Sequence, residues 1–218
     1  MKPLANFIGY QLVWFAVVGT TGGSRSWLGF AAAAAFIALQ MALSDRRALD
    51  VRLLILAFVL GLSIDGTLSA LGWIRYSGPA PALPPGGAPL WILALWTSFS
   101  LTLTRSLAWL SGHPQWAAVF GAIGGPIAYW SAARGFHAVR FAPPSYRGMV
   151  ALAAGWSAAM TLLFYTVRRW ERDAGVAEAA PRRAMRRTRW RRRRSPRSRA
   201  RRRCRRCDAC AATASRRS

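Results

Sequence analysis

Acidic side chains are scarce in this sequence, with 7 Asp and Glu against 31 Lys and Arg in 218 residues. Histidine is rarer still, at two, and the three cysteines all lie in the last fifteen or so positions. Each scarcity removes a class of chemistry. Proteolysis inside a membrane needs paired aspartates or a serine with a histidine base, and "GLSIDG" offers one acid and no histidine. His113 and His137 fall in or near opposite connections, so they do not build one metal site. No phosphate loop or dinucleotide fingerprint occurs, because the glycines of "GTTGGS" follow an apolar helix and no strand precedes them. The expectation is therefore no catalytic constellation, no cofactor, no metal, and a role other than enzyme.

What the sequence holds instead is apolar length. Hydrophobic residues make up 53 %, yet the formal net charge is +24. The two facts are reconciled by position, since roughly two thirds of the Lys and Arg lie in the last fifty or so residues. Residues 1–170 read as a membrane domain and residues 171–218 as a disordered polybasic tail. The body holds about six apolar runs able, with their flanks, to cross about 30 Å of hydrocarbon as helices. They fall near Ala5–Thr20, Trp27–Leu43, Val51–Leu71, Leu90–Leu110, Gln115–Tyr129 and Met149–Val167. The fold class expected is all-α, a polytopic membrane helix bundle. The first run follows Met1-Lys2-Pro3 without a small-x-small cleavage site and reads as a retained helix.

Trp27, Trp73, Tyr76, Trp91, Trp109, Trp116 and Trp130 sit near run ends, where amphipathic rings favour the headgroup boundary. An even number of crossings puts both termini on one side. Arg46 and Arg47 on one connection, with Arg52 just inside the next run, and Arg168, Arg169 and Arg172 after the last run mark that side as cytoplasmic. The stretch "GWIRYSGPAPALPPGGAP", 72–89, reads as an extended surface cap, because repeated prolines and glycines break regular elements.

Within the runs, Asp65 stands out, since a charge at mid-membrane costs about 2.5–3.5 kcal/mol even on lenient insertion scales. Depth separates it from Arg105 by about 12 Å at 1.5 Å per residue, too far for a bridge. Arg105 then reads as an anchor reaching the inner interface. Two polar layers follow from the same arithmetic. The outer one sets Asp65 level with Thr97, Ser98, Ser100, Tyr129 and Ser157, and supplies candidates for substrate or proton coupling in Asp65, Thr97, Ser100 and Tyr129. The inner one groups Asn6, Gln11, Gln40 and Arg105, as a headgroup or entry site or as plain interhelical bonding. For Asp65 three readings stand: a buried acid pinning two helices, a proton- or substrate-coupled group in a cavity, and a group reached by outside water. Gly121 and Gly125 have the small-xxx-small spacing for close backbone packing, with Pro126 set to kink the same helix.

The tail "RRTRWRRRRSPRSRARRRCRRC" suits anionic lipid heads or phosphate polymers by charge. Cys204, Cys207 and Cys210 lack a fourth ligand for a cluster. Two readings of this end stand: a true basic tail, or the product of a reading-frame error in a GC-rich gene, signalled by the abrupt change of composition after about Ala180.

The stretches "NFIGYQLVWF", "WLG" at Trp27–Gly29, "PLWILALWTSFSLTLTRSLAWL" and "GAIGGPIAYW" resemble a bacterial family of small inner-membrane proteins known as domain of unknown function 2878. The likeness covers residues 5–167, and the arginine tail departs from it. The resemblance implies the membrane architecture and no activity. By gene association with fatty-acid-modifying methyltransferases and flavoproteins, it implies a role in the envelope lipids. Expected partners are the lipid bilayer, anionic lipids through the tail, and lipid-modifying enzymes; specific nucleic-acid binding is not expected. Two functions remain: an accessory or scaffold protein in envelope lipid modification or stress response, and a small proton-coupled transporter or lipid-handling permease using Asp65.

Overall fold

A computed structural model describes residues 3–78 and 82–194, with side chains through Asp173. The chain divides into two units, Met1–Trp170 and Glu171–Ser218. Cys204, Cys207, Cys210 and most of the arginine-rich end lie outside the described side chains.

Six α-helices carry the fold: α1 Pro3–Thr20, α2 Ser26–Ala42, α3 Arg47–Ala70, α4 Leu90–Ser100, α5 Pro114–Phe136 and α6 Tyr146–Arg194. The last continues past residue 170, where the sequence reading begins a tail without structure. Among the described residues, three helices are long and apolar enough to cross a membrane: α1, α3 and the Tyr146–Asp173 part of α6. These three are fewer than the six runs read from the sequence. The apolar helices α2 and α4 are shorter, at 17 and 11 residues.

The sequence places helix four over Leu90–Leu110, but α4 stops at Ser100. Residues 101–107 form successive turns, and a 3₁₀ segment follows at Ala108–Gly112. Hydroxyl density explains the stop. Ser100 donates to the Thr97 carbonyl at 2.7 Å and Thr102 to the Phe99 carbonyl at 2.7 Å, while backbone N–H groups of 101–103 reach back three residues. Short polar side chains that bond local carbonyls compete with the i→i−4 ladder. Irregular backbone at membrane depth is tolerated only where protein covers it. Leu101, Leu103 and Leu110 are accordingly fully buried.

Among the described residues, four short strands accompany the helices. β1 Ile74–Tyr76 pairs antiparallel with β4 Val139–Phe141, and β2 Ala82–Leu83 pairs with β3 Ala88–Pro89. Gly86 has φ +81° and the Gly87 N–H donates to the Pro84 carbonyl at 2.7 Å, which fits a type II turn with Pro85 at its second position. The Ser69 hydroxyl donates to the Gly86 carbonyl and fastens this hairpin to α3. The described parts of the cap are thus folded, and β1 sits where its inward residues meet α3.

α4 is the buried centre: Trp91, Ile92, Leu93, Leu95, Trp96 and Phe99 are all covered. The surrounding helices are apolar on the outside as well. Leu4 and Leu12 of α1, Ile55 and Val59 of α3, and Val150 and Leu162 of α6 are exposed. Helices apolar on both faces match an apolar solvent and not water.

Candidate functional site

The polar centre is built from residues spaced for one face. On α3, Gly61 and Asp65 are four apart, and on α5 Gly121, Gly125 and Tyr129 repeat at the same interval, so each set shares a side of its helix. Asp65 is fully buried and three donors converge on it. The Tyr129 hydroxyl donates to Oδ1 at 2.5 Å and the Tyr76 hydroxyl to the same oxygen at 2.6 Å. Trp96 Nε1 donates to Oδ2 at 2.7 Å. One carboxylate therefore links α3 to α5, β1 and α4. Burial first, and then the neighbouring Asp65 carboxylate, hold the Tyr76 hydroxyl well above its ordinary pKa, so it remains a donor at physiological pH.

The glycines make room for the indoles. Trp96 stacks on Trp156 of α6 with centroids 4.2 Å apart and planes 23° from parallel. A Cβ at Gly61 would lie 2.4 Å from Trp96 Cδ1, and one at Gly125 2.4 Å from Trp156 Cγ. At Gly121 it would meet the Trp156 carbonyl oxygen at 2.4 Å. The indole pair is thus held between Gly61 of α3 and Gly125 of α5, while Gly121 admits the backbone of α6, so the small-xxx-small face of α5 receives α6 of the same chain. Pro126 lies inside α5, and the helix runs through it from Pro114 to Phe136. Gly125→Ala is expected to destabilise by about 1–3 kcal/mol through overpacking. Gly124→Ala should be close to neutral, since its nearest neighbour would be an ordinary 3.7 Å away. Thermal melts of the two variants in the same detergent check the contrast.

Of the other outer-layer candidates, Thr97 donates to the Leu93 and Ala94 carbonyls and Ser100 to the Thr97 carbonyl, all within α4. Tyr76 and Trp96 are the contacts that sequence reasoning missed. Tyr76 carried the signature of an interfacial ring, and its place on Asp65 depends on the β1–β4 pairing.

The inner layer centres on the turns after α4. Arg105 is half of an ion pair, in contrast to the free anchor expected: Nη2 lies 2.7 Å from Asp50 Oδ2, with Asp50 almost fully buried. Arg105 also donates to the Leu101 carbonyl at 3.0 Å and the Gln40 carbonyl at 3.3 Å. The Ser106 hydroxyl donates to Asn6 Oδ1 at 2.8 Å, and Asn6 Nδ2 to the Leu101 carbonyl at 3.4 Å. Asn6, Gln40 and Arg105 thus stitch α1 and α2 to the irregular segment. Gln11 sits apart and lines a groove.

That groove, of about 690 Å³, is walled by α1 and α5 with contributions from α4 and α6. Its lining is mainly aromatic and aliphatic. Thr102, Ser106, Ser131 and Arg134 are among its polar members. Asp65 does not line it; Trp156 stands between the groove and the carboxylate network. Among the described residues no group of three His, Cys, Asp or Glu is placed to hold a metal.

A helical bundle with apolar outer faces, its Asp50, Asp65 and Arg105 side chains bonded internally and, among the described residues, three helices of membrane-crossing length defines a protein of membrane type. The chain belongs to the family described as "Protein of unknown function (DUF2878)", which matches residues 3–162. Neither a curated protein nor a solved structure gives a match.

Proposed function

We propose that the protein is a multi-pass bacterial inner-membrane protein, both termini cytoplasmic, that serves as an accessory or scaffold protein in envelope lipid modification or stress response. The observation that carries the scaffold reading is the commitment of Asp65. Its two oxygens accept from three side chains of its own bundle, and it does not line the groove. An intramembrane acid is a functional candidate by default, but one consumed in ties between elements acts as a fastener. The Arg105–Asp50 pair is consumed in the same way. The clustering of Arg46, Arg47, Arg52, Arg168, Arg169 and Arg172 at one end supports the orientation.

The alternative, a proton-coupled transporter or lipid-handling permease using Asp65, has the groove in its favour, and the groove and Asp65 are separate. Complementing a deletion strain with the wild type and with Asp65→Asn at matched expression separates the two. If the scaffold reading holds, deletion changes the membrane-lipid profile and both proteins restore it. Restoration by the wild type alone favours proton or substrate coupling, and an unchanged profile ends the lipid assignment.

A further inference from the structure

We infer that the groove between α1 and α5 is a binding site for one anionic phospholipid, with an acyl chain along its aromatic floor and the phosphate at Arg134. The inference rests on the membrane placement proposed above and names a ligand for it.

Three observations carry it. The volume of about 690 Å³ falls within the few hundred to about 1,000 Å³ of small-molecule sites. The rim residues Phe7, Phe15, Ile127 and Trp130 are exposed, so the groove opens on the outer face of the bundle, where the acyl chains of a bilayer would lie. An apolar, laterally open slot at that position selects a chain from the bilayer over a water-borne solute.

The second observation is charge. Arg134 is the one ionic side chain on the groove wall, three residues after Ser131, so both project from the same side of α5 near its end. Its guanidinium rests over the Trp130 ring, 6.0 Å from the centroid. A planar guanidinium steadied on an indole presents its donors as a fork suited to a phosphate. No acid lines the groove to compete for it.

The third observation lies at the same end of the bundle, formed by the α1–α2 connection, the β1–β4 ribbon and the start of α6. That end carries Arg25, Arg75, Arg134, Arg140 and Arg147, and no Asp or Glu among its described residues except the buried Asp65. Arg75 and Arg140 are direct cross-strand partners and both exposed. Like charges placed opposite each other destabilise a ribbon. An anionic headgroup layer relieves that repulsion, whereas a zwitterionic one brings its own cation.

The test uses the full chain in bilayer nanodiscs containing lipids brominated on the acyl chain, because Trp14, Trp130 and Trp156 line the groove and bromine quenches indole fluorescence at contact. Brominated phosphatidylglycerol is compared with brominated phosphatidylcholine at equal mole fraction. The wild type is expected to be quenched several-fold more effectively by phosphatidylglycerol. Arg134→Gln, at an exposed position, should equalise the two lipids. Gly124→Leu fills the groove where a Cβ meets no clash, and should lower quenching by both to that of surrounding lipid. Circular dichroism and monodisperse elution confirm that each variant is folded. Equal quenching of the wild type by both lipids overturns the headgroup assignment. A preference that survives Gly124→Leu overturns the groove as its site. Neither result depends on the lipid profile of the deletion strain, so this inference and the scaffold reading fail separately.

Discussion

Asp65→Leu is expected to lower the thermal midpoint of the protein in detergent by roughly 10 °C, while Asp65→Asn stays within a few degrees of the wild type. Leucine strips the acceptor from three donors at once. Trp96 and Tyr129 are buried, so their N–H and O–H groups have no water to turn to, and an orphaned buried donor costs about 1–3 kcal/mol. Tyr76 is half-buried and recovers part of its loss. The sum is about 2–6 kcal/mol. Asparagine behaves differently because tyrosine hydroxyls rotate. Its Oδ1 can accept from Trp96 while its amide group donates to the oxygens of Tyr76 and Tyr129, so each of the three rings keeps a hydrogen bond to residue 65 and only the two hydroxyl hydrogens lose their acceptor. Equal melting of Asp65→Leu and the wild type would falsify the view of Asp65 as a fastener. An Asp65→Asn variant as unstable as Asp65→Leu would show that the charge itself holds the network.

The helical body and the isolation of Asp65 were legible because both are signals of composition along the chain. Apolar runs set α1, α3 and α6, and the spacing of Gly121, Gly125 and Tyr129 places three residues on one face of α5 wherever its neighbours lie. What was not legible depends on pairing. Tyr76 reaches Asp65 because β1 pairs with β4 in a register joining Ile74 to Phe141, across sixty-odd residues. The Pro-Pro-Gly-Gly run of the cap signals a turn, and the hairpin it closes could have been anticipated from turn chemistry. The end of α4 is the subtler case. Thr97, Ser98 and Ser100 read as hydroxyls offered to Asp65, whereas Thr97 and Ser100 are spent on carbonyls within α4, and Ser100 and Thr102 contribute to the break in the helix. Depth arithmetic based on a straight helix through Leu110 then put Arg105 at an interface. The turns bring it instead to Asp50, an acid in the first turn of α3 that sequence reading treated as part of a loop.

The Arg105–Asp50 contact yields the second large effect, a double-mutant cycle with an asymmetric outcome. Removing one member of a buried pair costs about 3–5 kcal/mol, mostly because the other charge is left without compensation. The two members are not equivalent here. Asp50→Leu leaves Arg105 bonded to the Leu101 and Gln40 carbonyls and 15 % exposed, so its charge keeps partners and some solvent. Arg105→Met leaves Asp50 at 2 % exposure with only the distant Thr104 hydroxyl, and takes one donor from each of the Leu101 and Gln40 carbonyls in addition. Arg105→Met should therefore be the more damaging single change. In the double variant the stranded carboxylate is gone and only the loosened carbonyls remain. The double is expected to be more stable than Arg105→Met alone, with a coupling energy well above the 0.3–0.5 kcal/mol or so within which independent sites add. Arg105→Lys extends the argument, since one ammonium cannot serve a carboxylate and two carbonyls through a rigid fork, and it should recover less than half of the loss. Thermal or denaturant midpoints for the four proteins test this ordering; strict additivity would mean that Arg105 works through the carbonyls of the broken helix and that Asp50 is incidental.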